Sequence, residues 1–387
     1  MRYLIIGNGA AGADAALTVR QCDPEGEILL VAESAHPHYY RPKLIDYLAE
    51  DIPPEKLYIM KNEAFAAKNI AVRLSSRVSA IDPAGKRIVM DGGETISYDR
   101  LLLATGSFPF MPPIQGLPVA GVFSLRTIED ADRIKLWCRG KKNIIISGAG
   151  LLGLETANAL RSVCENITVI ETAPYLLSRQ LDADGAGLLR EILEKKGLSF
   201  VFDDCISSVS GADGIESVTL KSGRTLKTDA LIISAGVRPN ADLASKAGLA
   251  VERGIVIDRF MRTSNPDIFA AGDCAEFEGN VCGLWTVAKE QGKIAGSNMA
   301  GKAVEYKGSV PSTMLKVTGV DVYSAGDYMG LSSWSMLKLE DSRYLKAVYD
   351  DETPVGAIVV GDADAVKVAQ KVMAGKAPLS DFIQLVR

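Results

Sequence analysis

Six glycines in two groups mark the chemistry this chain is equipped for. Gly7, Gly9 and Gly12 punctuate Gly7-Asn8-Gly9-Ala10-Ala11-Gly12, and Gly148, Gly150 and Gly153 punctuate Gly148-Ala149-Gly150-Leu151-Leu152-Gly153. At this spacing the first glycine permits a tight turn, the second lets backbone amides approach a pyrophosphate, and the third lets a helix pack close to a strand. The phosphates would sit at a helix N-terminus, where unpaired N–H groups and the helix dipole favour negative charge. Each group is followed, roughly two dozen residues on, by an acid that closes the next apolar run: Glu33 after Ile28–Ala32, and Glu171 after Ile167–Ile170. A carboxylate there can accept hydrogen bonds from a ribose. Two tight turns and two solvated acids would be the plainer account of either copy alone. That both copies occur in the context the motif demands predicts two dinucleotide sites.

The elements that position these residues read directly from the apolar pattern. Tyr3–Ile6 is a strand entering the first turn, and the alanine-rich Ala13–Val19 a helix leaving it. Asn143–Ser147 and Leu154–Leu160 repeat the arrangement. A second repeat joins the two halves, because the apolar run of Leu101–Gly106 and that of Ala230–Gly236 each end in small residues and glycine. Between the copies, residues 36–48 are polar and aromatic, then helical. Ile70 to Ile96 reads as alternating strands turning at Asp82–Gly85 and Asp91–Gly93, hairpins set into the first domain. Pro109, Pro112, Pro113 and Pro118 mark a crossover. Beyond it strand character resumes at Gly254–Asp258, the chain reaches Ile268–Asp273, and a helix runs from about Trp285 to Met299. The tail has strand-like runs at Asp321–Ala325, Tyr344–Tyr349 and Pro354–Val359 and a helix from Ala363 to Ala374. The expected fold is α/β: two Rossmann-like nucleotide-binding domains plus a small α+β C-terminal domain. Its parts are residues 1–110 and 237–309 for the first nucleotide domain, 111–236 for the second, and 310–387 for the tail.

The 387 residues leave ample length for buried cores, and a composition of 47% hydrophobic and 24% charged residues is that of a globular protein. A net charge of −5 argues against bulk nucleic-acid binding. No apolar run approaches bilayer-spanning length and Met1-Arg2 leads straight into a strand, so no membrane association and a cytoplasmic location are expected. The six cysteines form no CxxC pair and no metal-ligand cluster. His36 and His38, the only histidines, lack further ligands nearby, so no metal site is expected.

The two glycine turns, Ala104-Thr105-Gly106, Glu155, Gly236-Val237-Arg238-Pro239-Asn240, and Thr263-Ser264 leading to Ala270-Ala271-Gly272-Asp273 resemble the two-dinucleotide flavoproteins of the pyridine-nucleotide-disulfide oxidoreductase superfamily. The likeness covers about the first 310 residues in order. Tyr39-Tyr40-Arg41-Pro42-Lys43-Leu44, Leu125–Ala131 and the short tail most resemble the NADH:rubredoxin oxidoreductases, with ferredoxin reductases and the amino-terminal part of nitrite reductase large subunits near them. The resemblance implies FAD at the first copy, held by Gly7, Gly9, Ala10, Ala11, Gly12, Glu33, Ser34, Arg41, Lys43, Val78, Ala104, Thr105, Gly106, Arg126, Asp273, Trp285 and Thr286. It implies NADH at the second, held by Gly148, Gly150, Leu151, Leu152, Gly153, Glu155, Glu171 and Gly236. Asp273 would bond the ribityl chain, the alternative being a helix N-cap. Trp285 and Thr286 would open a helix aimed at the flavin, or Trp285 would be plain core. Glu171 would repel the extra phosphate of NADPH, making it the poorer substrate, although Arg179 is close in sequence.

The resemblance implies Lys43 and Glu155 as the catalytic pair, meeting where flavin and nicotinamide adjoin, the alternative being that Lys43 binds phosphate alone. In ferredoxin reductases the lysine follows the Arg–Pro pair by four residues, where this chain has Asp46; Lys43 would substitute one helical turn earlier.

Disulfide reduction needs an activated thiolate beside the flavin, and from Glu33 to Val78 the sequence has no cysteine. Cys274, next to Asp273, is the one cysteine left under suspicion, buried inertness being the commoner fate. Electrons must therefore leave the flavin directly. The expected acceptor is a small, acidic iron carrier protein such as rubredoxin, docking on a basic face built from Arg41, Lys43, Lys316 and Lys346, with the enzyme a monomer or homodimer. A cysteine-independent oxidase or diaphorase, the electron-input part of a nitrite-reductase-type system, and a non-catalytic NADH-sensing protein are the alternatives.

Overall fold

The computed structural model describes residues 1–308, 312–317, 319–329, 334–340 and 342–386. Two compact units emerge. The first comprises Met1–Leu44, Ile52–Phe108 and Val237–Ser309; the second comprises Ile45–Asp51, Pro109–Gly236 and Val310–Arg387. The expected boundary at residues 309 and 310 lies outside the described residues.

The first unit is built on a five-stranded parallel sheet in the order Ile268–Ala270, Arg100–Leu103, Arg2–Ile6, Glu27–Val31, Ile70–Arg73. Its central strands bury both faces, which is why they read as continuous apolar runs. Ile5 pairs with Leu30 on one side and Leu102 on the other, and all three are fully buried. Ile70–Arg73, expected as part of a hairpin, is instead the edge strand of this sheet. The antiparallel hairpins are Val78–Asp82, Arg87–Met90 and Thr95–Ser97. Alternation alone does not distinguish a two-sided edge strand from a hairpin arm.

The helices Ala10–Cys22 and Trp285–Met299 lie against each other through small residues. A Cβ on Gly292 would stand 2.3 Å from the Ala11 carbonyl oxygen, and one on Gly296 2.6 Å from that of Ala15. Side chains larger than hydrogen would force the helices apart, so the glycine at each contact sets their separation.

The second unit repeats the plan. Its parallel sheet runs Val122–Phe123, Ala230–Ile233, Asn143–Ser147, Asn166–Ile170, Leu198–Val201, with a three-stranded antiparallel insert at Ile206–Ser210, Ser217–Leu220 and Thr225–Lys227. The same unit carries a five-stranded antiparallel sheet in the order Ser312–Val317, Val320–Gly326, Thr353–Val360, Arg343–Asp350, Trp334–Glu340. Helices Ala363–Met373 and Leu379–Val386 pack their apolar faces on it, burying Val366, Ala369, Val372 and Phe382 against Leu345, Ala347 and Val359. Among the described residues, no helix is long and apolar enough to cross a membrane.

Candidate functional site

The two glycine turns are near copies in three dimensions. In the first, Gly7 has φ +108°, and a Cβ on it would lie 2.2 Å from the Ala104 carbonyl oxygen; Gly148 has φ +116° and the same relation to Ser234 at 2.3 Å. A Cβ on Gly12 would fall 1.8 Å from the Gly7 carbonyl oxygen, and one on Gly153 2.0 Å from that of Gly148. Around the middle glycines, Gly9 and Gly150, nothing lies within 4 Å of the added atom. The outer glycines are thus fixed by backbone packing, while the middle ones face a cradle a Cβ would fill. Neither middle N–H has a partner among the described residues. Helices then begin at Ala10 and Leu151. Unfilled space, free amides and a helix N-terminus fit a dinucleotide pyrophosphate in both copies. Ala10 and Ala11 are buried in the first helix, and Leu151 and Leu152 are half-buried at the start of the second.

The acids that follow differ. Glu33 is exposed, its nearest cation being Arg77 at 4.0 Å. Glu171 is engaged with its own loop: its carboxylate accepts from Ala149 N (2.7 Å), Thr172 Oγ1 (2.9 Å) and Ala173 N (3.0 Å). It therefore shapes the glycine turn as well as facing outward, a role its spacing does not reveal.

Ala104, Thr105 and Gly106 follow the strand Arg100–Leu103 in the first unit. The Thr105 hydroxyl donates to Asn240 O (2.6 Å), and Asn240 N donates to Gly106 O (2.9 Å), so the two family segments meet. Gly236, at φ +90°, is open, and its carbonyl accepts from Phe110 N. Asp273 is not a helix N-cap: it lies in the turn between strands Ile268–Ala270 and Ala275–Phe277, where Ser107 Oγ donates to it at 2.9 Å. Gln291, buried on the long helix, accepts from Gly272 N at 2.8 Å and fixes that turn. Neither Ser107 nor Gln291 carries a sequence signal of this role. Cys274 is fully buried with its thiol directed at the Leu103 and Ala271 carbonyls, and burial pushes its pKa up, so no reactive thiolate stands there.

Trp285 opens its helix half-buried, stacked on His38 (centroids 5.8 Å, planes 8° apart) with the Tyr40 ring edge-on at 5.2 Å; Thr286 beside it is exposed. His36 and His38 are not paired for a metal: His36 Nδ1 meets Tyr58 OH, and His38 Nδ1 meets the Asn8 carbonyl, each at 2.9 Å. Among the described residues no group of three His, Cys, Asp or Glu could hold an ion. Ser34 accepts from His36 N and Val78 is buried at a strand start. The Arg41 guanidinium lies 5.6 Å from the Tyr39 ring centroid, and Lys43 is exposed. The Arg126 backbone N–H bonds Asp130 in the cap of the helix Ile128–Cys138.

Lys43 belongs to the first unit and Glu155 to the second, and each is described within its own. Glu155 is half-buried on Leu151–Leu160, with no donor to its carboxylate among the described residues. Burial, reinforced by the charge of Asp46, pushes its pKa up to about 7. Of the remaining basic candidates, Lys346 is almost buried and donates to Asp182 at 2.9 Å, which removes it from any docking face. The Lys316 side chain lies outside the described residues.

Residues 1–292 match the family model for the pyridine nucleotide-disulphide oxidoreductases, and residues 311–377 the model for the rubredoxin NAD+ reductase C-terminal domain. An assimilatory nitrate reductase electron transfer subunit from Bacillus subtilis is 36% identical over 93% of this chain, which covers 48% of that protein. The chain spans about half the length, or less, of several such relatives. An NADH-rubredoxin oxidoreductase from Clostridium acetobutylicum is 31% identical over 93% of this chain and 91% of its own. The crystal structure of the NADH:rubredoxin oxidoreductase from that organism superposes with a TM-score of 0.82 at 30% identity, covering 99% of each chain. The chain belongs to the pyridine nucleotide-disulphide oxidoreductase family, whose members bind FAD and NADH.

Proposed function

We propose that this pyridine nucleotide-disulphide oxidoreductase passes electrons from NADH through FAD to a small iron electron-carrier protein of the rubredoxin type. The observation that carries the reading is the complete lack of cysteine between Glu33 and Val78 in a chain that otherwise has both dinucleotide cradles. With Cys274 sealed in the core, its thiol is not available to relay electrons. Bound FAD would accept a hydride and release electrons singly, the chemistry a one-electron carrier requires.

The chain's own residues bind and orient. The amides of the first turn would hold the FAD pyrophosphate and those of the second that of NADH. Asp273, which accepts from Ser107 Oγ, would accept from the ribityl hydroxyls. Lys43 and Glu155 remain the proposed catalytic pair, with Glu155 able to hold or lose a proton near neutrality. The match of residues 311–377 to the rubredoxin reductase C-terminal domain supports this choice of acceptor.

The experiment follows NADH oxidation with rubredoxin, oxygen and a disulfide as competing acceptors. Rubredoxin should be reduced fastest, at a rate that falls as salt rises. Oxygen or a disulfide reduced as fast, or a rate indifferent to salt, rejects the proposal. A second reading, electron input to a nitrate- or nitrite-reducing assembly, is favoured by the 36% identity to the Bacillus subtilis subunit. It wins if a nitrate or nitrite reductase partner is reduced and rubredoxin is not.

A further inference from the structure

The first glycine turn is held from behind by a side chain that its motif does not contain. His38 Nδ1 lies 2.9 Å from the carbonyl oxygen of Asn8, the residue between Gly7 and Gly9. A carbonyl only accepts, so Nδ1 carries the proton. Burial pushes the His38 pKa down to about 4, opposed by the bond to Asn8 and assisted by the charges of Lys289 and Arg41. The ring is neutral at physiological pH.

The Asn8–Gly9 peptide is planar and trans, so its C=O and N–H point in opposite directions. Fixing the carbonyl toward His38 turns the Gly9 N–H the other way, out of the turn. The second loop has the same need and meets it with main chain: Leu177 N–H donates to the carbonyl of Ala149 at 3.0 Å, with Leu177 at φ +50°. The two cradles share glycines but differ in this rear support. The imidazole is itself fixed by its stack on Trp285, and the Asn8 side chain is tied to the same segment through Nδ2, which donates to His36 O at 2.8 Å.

We infer that His38 is a positioning residue for the FAD pyrophosphate: by holding the Asn8 carbonyl it aims the Gly9 N–H at the bound anion. This rests on the assignment of FAD to the first loop.

Two variants separate the hydrogen bond from the stacking. His38→Phe keeps a ring against Trp285 and loses the donor; His38→Asn places an amide N–H near the Nδ1 position and loses the stack. FAD affinity is read from quenching of its fluorescence on adding apoprotein, and NADH affinity as the control on the second cradle. His38→Phe should weaken FAD roughly tenfold, the scale of one lost hydrogen bond, with His38→Asn within about threefold of the parent and NADH unchanged in both. Parental affinity in His38→Phe, or a His38→Asn as weak as His38→Phe, overturns the inference. If the variants do not fold, nitrogen-15 spectra of the parent decide it, since the chain has two histidines. The Nδ1–H neutral tautomer should persist from pH 8 to about 5; an Nε2–H tautomer or an imidazolium at pH 7 overturns it. A parent that binds NADH but no FAD would reject the FAD assignment, a result separate from the tautomer.

Discussion

Asp46 and Glu155, distant in sequence, are electrostatic neighbours within the second unit, and the repulsion adds to burial in holding the Glu155 carboxyl near a pKa of 7. In ferredoxin reductases, by the resemblance, the position of Asp46 carries a lysine. Exchanging that cation for an acid reverses the sign of the local field and makes Glu155 a group that titrates at working pH. Its folded pKa is raised above the ordinary carboxylate value. Its stabilising contribution is therefore full below about pH 4.5 and is lost as pH rises through 7. Glu155→Gln should leave the melting temperature unchanged at pH 4.5 and raise it by roughly 2–4 °C at pH 8. Hydride transfer from NADH should show an inflection near pH 7 in the parent and none in this variant. Asp46→Asn should move the inflection to lower pH. An inflection that survives in Glu155→Gln would assign it to another group.

The glycines divide into two kinds by what a methyl group would meet. Gly12→Ala and Gly153→Ala force a Cβ onto a backbone carbonyl at 1.8 and 2.0 Å, and should destabilise the apoprotein by about 3 kcal/mol or prevent folding. Gly9→Ala and Gly150→Ala meet only open space, so the apoprotein should melt as the parent does. Their cost falls on the ligand: Gly9→Ala should weaken FAD, and Gly150→Ala NADH, each by at least about tenfold. Melting curves beside ligand titrations check the division. Equal loss of apoprotein stability in all four variants would contradict it.

The fold was legible where a single local pattern determines it. Continuous apolar runs such as Leu101–Leu103 become doubly covered parallel strands, and the repeated turn places both cradles. The strands Ser312–Val317 and Trp334–Glu340 and the helix Leu379–Val386 were not foreseen, since short segments take their structure from the sheet they join. Contacts made far along the chain were equally hidden. Nothing local tells Lys346 that Asp182 will enclose it, or His38 that its ring will meet the Asn8 carbonyl. Ser234 could have been found, because aligning the two repeats sets it opposite Ala104.

The carboxylate of Glu171 combines cofactor preference with loop geometry, and two substitutions separate these. Glu171→Gln removes the charge and keeps an oxygen for Ala149 N, so NADH should weaken several-fold while NADPH binding holds or improves. Glu171→Ala also frees the Ala149 amide, and both nucleotides should then bind worse. Affinities for NADH and NADPH in the parent and the two variants decide this. A parent that uses both cofactors equally well would show that Glu171 does not select between them.

Two lysines once placed on one docking face should behave in opposite ways. Lys346 sits with Asp182, which also accepts from Gly185 N and the Tyr344 hydroxyl, so the aspartate caps a helix and anchors the antiparallel sheet to it. Lys346→Met leaves that carboxylate buried without its counter-charge and should cost about 3 kcal/mol of stability. Its effect on the salt dependence of acceptor reduction should be negligible. Lys43 is exposed, with no ion-pair partner among the described residues. Lys43→Glu should change melting by under about 0.5 kcal/mol. It should also slow reduction of an acidic carrier several-fold at low ionic strength, with the difference shrinking as salt screens it. FAD affinity is measured alongside, because a lysine that binds phosphate instead would lower loading and leave the salt slope of loaded enzyme unchanged. Full loading with a flattened salt slope places Lys43 on the path of the incoming carrier; an unaltered slope removes it from that path.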